Sequence, residues 1–226
     1  MRLQNYINEV SDVRDDSIEF FKEIKEECGP FLKEYNKDFL WRGTEHTVKD
    51  KRYFTPRTVR NPRDTPDELH DILNDEFKKK FGWTVRNGVF VTPLERDAWY
   101  YGENHAYMFF PIGKYKYCYS TYKDLTADMN RDIMDWFEHP DYTLKRLWKK
   151  RNPDKPFDDE YEEWYKIEFE KRNKGYEQMA RDIVKIYRDK GLSKLLGKRS
   201  EVSFQCKGYY LVNPIYANDF QKIMKI

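Results

Sequence analysis

The stretch Glu201-Val202-Ser203-Phe204-Gln205-Cys206-Lys207-Gly208-Tyr209-Tyr210-Leu211-Val212 decides how this chain is read. Glu201 to Cys206 alternates polar and apolar residues, the period of a half-buried strand. Tyr209 to Val212 is a short run of aromatic and branched residues that favour strands. Lys207-Gly208 between them reads as a turn, so the segment predicts a hairpin. This hairpin follows a long helical stretch. Because strand patterning breaks before that stretch and resumes after it, residues about 124–198 read as a helical insertion in a strand-rich core. The expectation is one α+β domain over 1–226.

Earlier strand signals complete the core. Phe39-Leu40-Trp41 is a short apolar run with Arg42 at its exit and Gly43 after it. Val85 to Thr92 reads as a second strand, and Pro93-Leu94-Glu95 opens a short helix to Tyr101-Gly102. Ala106 to Ile112 and Tyr115 to Tyr119, joined by Gly113-Lys114, read as another hairpin. Residues 11–27 carry Val13, Ile18, Phe21 and Ile24 near the helical period. Thr44 to Pro66 is rich in Arg, Thr, Asn and Pro and reads as loop. Thr65 then predicts an N-cap with Pro66 in the first helical position, for a helix ending at Gly82. Within the insertion, Ile133 to Phe137, Tyr161 to Phe169 and Met179 to Tyr187 predict three helices.

Composition bounds the class. Of 226 residues, 39% are hydrophobic, 36% charged and 17% aromatic, which predicts a globular chain whose core is built largely from rings. The net charge of +2 lacks the basic excess of a general nucleic-acid binder. The run Lys145-Arg146 to Lys149-Lys150-Arg151 reads as a solvated helix end, with a phosphate-binding patch as its alternative. Cys28, Cys118 and Cys206 are too scattered for a disulfide framework, which points to reduced thiols in a cytoplasmic protein. The N-terminus opens no apolar leader segment, and no apolar run is long enough to cross a bilayer, so no membrane partner is expected. The four histidines are isolated, and no metal site is expected.

Three groups of residues carry chemistry. Arg42 has the fork that pairs bidentately with phosphate, and Gly43 lets a backbone approach a flat amide. Alone, the pair reads as a strand end with a surface arginine. Phe90 and Tyr101 lie eleven residues apart across a strand-to-helix turn, so both rings could face one pocket, with Tyr100 a competitor. Alone, they read as core packing. Glu201 opens its strand, where a carboxylate commonly meets solvent. Beside a ribose it would stabilise positive charge developing at the anomeric carbon.

Taken in order, Arg-Gly after the first strand, a Gly-aromatic strand leading to a helix with Tyr-Gly, and a late Glu-Val strand resemble the ADP-ribosyltransferase superfamily. Within it the chain is similar to the arginine–serine–glutamate branch shared by bacterial toxins and bacteriophage modifying enzymes. The resemblance touches residues 38–120 and 199–214. It implies a split β-sheet core with NAD as substrate and no metal. Arg42 would bind the NAD phosphates, Gly43 would fix the carboxamide, and Phe90 and Tyr101 would flank the nicotinamide. Thr92 would stand at the last position of the family's Ser-Thr-Ser strand, and Glu201 would be catalytic.

Phe90 replaces that strand's first Ser, which leaves Thr92 as the candidate for the hydroxyl that orients the glutamate. Ala98 stands where some relatives place a carboxamide-binding Ser. Arg199 stands where arginine-modifying relatives carry Glu or Gln, which argues against arginine as acceptor. The implied function is mono-ADP-ribosyl transfer to a protein or nucleic-acid acceptor, with NAD hydrolysis beside it. If the chain is phage-encoded, it would act in the host cytoplasm. The alternatives are a non-catalytic binding or phage structural module on the same fold, and a transferase acting on a nucleic-acid base.

Overall fold

A computed structural model describes residues 15–35, 38–60, 65–120, 139–195 and 198–224. The chain mixes helix and sheet. In chain order, the elements are α1 (Asp15–Glu27), α2 (Gly29–Glu34), β1 (Trp41–Gly43), β2 (Lys51–Phe54) and α3 (Asp67–Phe81). β3 (Val89–Val91), α4 (Glu95–Tyr101), β4 (Ala106–Pro111) and β5 (Tyr115–Ser120) follow. The rest are α5 (Pro140–Arg151), α6 (Asp159–Ile186), β6 (Glu201–Cys206), β7 (Tyr209–Val212) and α7 (Ala217–Met224). They form two compact units: Met1–Thr58 with Asn87–Lys123 and Arg188–Ile226, and Val59–Arg86 with Asp124–Tyr187. No described helix is long and apolar enough to cross a membrane.

The first unit holds every described strand, in two antiparallel sheets ordered β1-β4-β7-β2 and β3-β6-β5. The two expected hairpins are absent. β4 pairs with β7, and β5 pairs with β6. Residues 106–120 and 201–212 thus make one long antiparallel ribbon, folded over at a shared corner where the Ile112 amide donates to the Gly208 carbonyl at 2.9 Å.

The register shifts by one residue across that corner. Pro111 faces Tyr209 on one side, and Tyr115 faces Cys206 on the other, so three residues oppose two. Such a bulge bends a ribbon, and Gly113, at φ +66°, takes the left-handed conformation it requires. Gly and Lys at these positions signalled a change of direction correctly. The signal does not separate a reversal from a corner.

Other sequence expectations are corrected in the same unit. β2 forms inside the segment read as loop, because Lys51–Phe54 pairs with β7 as an edge strand, where charged residues are tolerated. The strand expected from Val85 starts later: Val85–Asn87 is a 3-10 turn, and only Val89–Val91 is strand. α7 has no counterpart in the sequence reading. The helix expected over 11–27 is described from Asp15, and its earlier residues lie outside the described set.

Rings fill the core, as composition implies. Phe109 of one sheet and Phe204 of the other lie 5.1 Å apart, centroid to centroid. Phe31 of α2 meets Phe110 and Phe204 edge-on, and Phe220 of α7 packs on Phe21, Phe39 and Phe110. On the Phe110 face of the four-stranded sheet, the Tyr210 hydroxyl lies 2.7 Å from carboxylates of both Glu23 and Glu27, and Lys51 pairs with Glu23. These contacts fix α1 to β7 and β2.

The second unit is helical. It includes Val59–Arg86, ahead of the expected insertion, and ends at Tyr187. The reason is packing between α3 and α6: Phe77 meets the Tyr187 ring edge-on at 4.8 Å. The Lys80 ammonium caps the end of α6, donating to the carbonyls of Val184, Lys185 and Tyr187 at 2.8–2.9 Å. Two expected helices are one, the 28-residue α6, which runs straight through Gly175. Its N-cap is Asp158, whose carboxylate accepts from the Tyr161 amide. In α3 the N-cap is Pro66 rather than Thr65, and Gly82 closes the helix at φ +75°. The helix expected around Ile133 to Phe137 lies outside the described residues.

Candidate functional site

Arg42, Gly43, Phe90, Thr92, Tyr101 and Glu201 all belong to the strand-built unit. Three strands set most of their positions. Trp41 of β1 and Thr92, just past β3, exchange both backbone hydrogen bonds, at 2.8 and 2.9 Å. β3 then pairs with β6, Phe90 opposite Ser203 and Val91 opposite Val202. One step further in that register sets Thr92 opposite Glu201. Arg42, Thr92 and Glu201 therefore lie on successive strands. Two strand spacings, about 10 Å, separate the outer two traces.

Arg42 ties these strands together. Its Nη1 donates to the Phe90 carbonyl at 2.6 Å, and its guanidinium lies 5.9 Å from the Tyr209 ring centroid. The side chain is half-buried. A guanidinium has five N–H donors, and the Phe90 bond uses one of them. Burial pushes the nearby Cys206 thiol up to about 12, and the positive charge of Arg42 offsets part of that rise.

Gly43 meets the chain itself. A Cβ built there would lie 2.1 Å from the Ala98 carbonyl oxygen and 2.6 Å from the Gly102 amide nitrogen. Gly102 is reciprocal, since its own Cβ would lie 2.6 Å from the Gly43 Cα. The close approach read from the sequence as room for a ligand is made by the C-terminal end of α4. This contact also explains why the helix carries Ala98, 1% exposed, on its inner side.

The aromatic residues separate in exposure. Phe90 is half-buried, whereas Tyr101 is 58% exposed and Tyr100 80%. Tyr100 and Tyr101 meet edge-on at 5.7 Å. Trp99 is 50% exposed, so α4 presents three successive rings to solvent.

The face of β6 that carries Glu201 is rich in hydroxyls. Direct partners across an antiparallel pair point to the same side. Ser120 of β5 pairs with Glu201, and Ser203 lies between Phe90 and Cys118. Ser120 and Ser203 are each 1% exposed. Thr92, 8% exposed, accepts the Leu94 amide through its hydroxyl oxygen at 3.2 Å, in the turn that starts α4. Ser200 is buried, and its hydroxyl has no hydrogen-bond partner among the described residues.

Arg199 pairs with Asp97 of α4 at 3.6 Å. The sequence reading missed Ser120, Ser203 and Asp97. The strand read over Tyr115 to Tyr119 stops one residue short of Ser120, and the neighbour of Ser120 across the sheet lies about 81 positions away.

Among the described residues, no group of three His, Cys, Asp or Glu side chains is placed to hold a metal ion. The basic run lies in the helical unit and is partly engaged there. Lys149 donates to the Lys155 carbonyl at 2.8 Å, and Arg151 lies 3.9 Å from the Glu168 carboxylate. Comparison with protein-family models, with curated proteins and with solved structures finds no match.

Proposed function

We propose that the chain binds NAD and transfers its ADP-ribose to a macromolecular acceptor. On this reading the two-sheet unit is an ADP-ribosyltransferase-like split core. The observation that carries the proposal is the succession of Arg42, Thr92 and Glu201 on neighbouring strands, joined through Trp41–Thr92 and the β3–β6 pair. These residues are far apart in sequence, yet the strand traces that carry them lie about two strand spacings, roughly 10 Å, apart.

In the proposed reaction the bond between the ribose C1′ and the nicotinamide nitrogen breaks first. Its electron pair leaves with nicotinamide, and C1′ becomes oxocarbenium-like. Glu201 stabilises that charge, which exists only near the transition state, and so acts on the chemical step. The acceptor nucleophile attacks C1′ from the opposite face, and its proton passes to Glu201 or water. Arg42 holds the pyrophosphate with donors that the Phe90 bond leaves available, and Phe90 and Tyr101 flank the leaving ring.

Arg199, paired with Asp97, stands where arginine-modifying relatives carry Glu or Gln, which supports an acceptor other than an arginine side chain. The exposed rings Trp99 and Tyr100, beside Tyr101, favour a nucleic-acid base as acceptor, since flat side chains stack on bases without sequence preference. The test is incubation with NAD labelled in the adenylate half, with protein lysate and with single-stranded RNA and DNA as acceptors. Nicotinamide release with label on a macromolecule is the expected result. A protein that neither binds NAD nor releases nicotinamide would refute the proposal.

A further inference from the structure

We propose that Ser120 is a positioning residue whose hydroxyl holds the Glu201 carboxylate across the β5–β6 pair; this rests on the NAD-cleavage reading above. Ser120 and Glu201 are the last partners of that pair. Direct partners in an antiparallel sheet carry Cβ atoms about 5 Å apart on the same face. From such positions a serine hydroxyl and a glutamate carboxylate can come within hydrogen-bonding distance of each other.

The neighbouring hydroxyls are placed differently. Thr92, on the other flank of Glu201, lies just past β3, where its oxygen accepts the Leu94 amide in the turn that starts α4. Ser203 is two residues along β6 and sits opposite Phe90 and Cys118. Ser200 directly precedes Glu201, and strand alternation sends its side chain to the other face. Phe90, on β3, carries no hydroxyl. The hydroxyl directly across from Glu201 on β5 is that of Ser120.

Burial and rigidity support the role. Ser120 is 1% exposed, so its hydroxyl has to find its partner inside the protein. A hydroxyl that donates to a carboxylate makes a charge-assisted bond, stronger than one between neutral groups. The strand beneath it is held on both sides. β6 pairs along one edge, and on the other Tyr119 exchanges backbone hydrogen bonds with Arg188 at 2.8 and 2.9 Å. The Tyr119 hydroxyl also donates to the Lys190 carbonyl at 3.0 Å. A group that has to hold a carboxylate within a fraction of an ångström is best carried on such a fixed strand.

The experiment measures nicotinamide release and KM for NAD in Ser120→Ala, Glu201→Gln and the double variant. In the wild-type background, Ser120→Ala should lower kcat roughly tenfold, the cost of one hydrogen bond to a charged group, with KM for NAD nearly unchanged. In the Glu201→Gln background the same change should cost almost nothing, because a residue that acts through Glu201 has nothing further to lose there. Ser120→Cys, close in size but a weak donor, should behave like Ser120→Ala, and it decides the matter if the alanine variant does not fold.

Wild-type kcat in Ser120→Ala beside an inactive Glu201→Gln overturns the proposal and leaves the NAD reading standing. Equal losses in both backgrounds also overturn it, since they mark a general structural effect. Absence of nicotinamide release from the unaltered protein overturns both.

Discussion

The Arg42 guanidinium donates to the Phe90 carbonyl across 2.6 Å, so the residue proposed to hold NAD phosphates also clamps β1 to β3. This double duty makes its replacement informative. Arg42→Lys keeps the charge and loses the planar fork. It should weaken NAD binding at least roughly tenfold, and it should destabilise the fold by about 1–3 kcal/mol by leaving the Phe90 carbonyl without its donor. Calorimetric NAD titration and urea unfolding read the two effects separately. Undiminished affinity in the lysine variant would remove Arg42 from the binding site.

Glu201→Gln should reduce nicotinamide release on the order of 100-fold or more while NAD affinity stays within a few-fold. The amide keeps the shape and can still bond a ribose hydroxyl, but it lacks the charge that a cationic transition state needs. Single-turnover release and equilibrium binding distinguish the two. Normal release would make Glu201 an ordinary strand residue.

Gly43→Ala should destabilise the protein by about 3 kcal/mol, since the added methyl would fall 2.1 Å from the Ala98 carbonyl and the backbone of α4 would have to shift. Gly102→Ala should behave alike, because its methyl would meet the Gly43 Cα at 2.6 Å. Chemical denaturation measures both. A neutral Gly43→Ala would show that β1 and α4 are not held at this contact.

Phe77→Ala should cost about 3–5 kcal/mol, the usual range for deleting a buried ring. Phe77 is fully buried in the helical unit and packs on Tyr187. If that unit is dispensable for NAD binding, affinity measured under folding conditions should not change. A parallel loss of affinity would tie the helical unit to the site.

Stability should fall as pH rises from about 9 toward 12. Burial raises the Cys28 and Cys206 thiols from 9.0 to about 12. Burial and bonds to carboxylates also raise the Tyr115, Tyr117 and Tyr210 phenols above their ordinary value. In each case the unfolded chain loses its proton first. Unfolding therefore releases protons, and the slope of stability with pH is negative in this window. Urea midpoints at pH 7.5 and 10.5 check it, and equal midpoints would contradict the burial of these groups.

The sequence by itself determined much of the local structure and all of the chemistry available. Alternation marked β6 and a run of aromatic and branched residues marked β7, each to the residue. The Phe77 and Met179–Tyr187 periodicities marked helices, because a helix buries one stripe. The order Arg42, Thr92, Glu201 was legible as a set of residue types.

Pairing was decided only in three dimensions. Alternation says which face a residue takes and nothing about its partner, so the turns at Gly113 and Gly208 looked like hairpins when they are two sides of one corner. β2 was invisible because an edge strand tolerates charge, and the single helix α6 was divided because its buried stripe has polar gaps. Ser120 beside Glu201 and Gly102 against Gly43 are contacts across 81 and 59 positions. They arise when distant segments close on a shared core, and no local pattern encodes that closure.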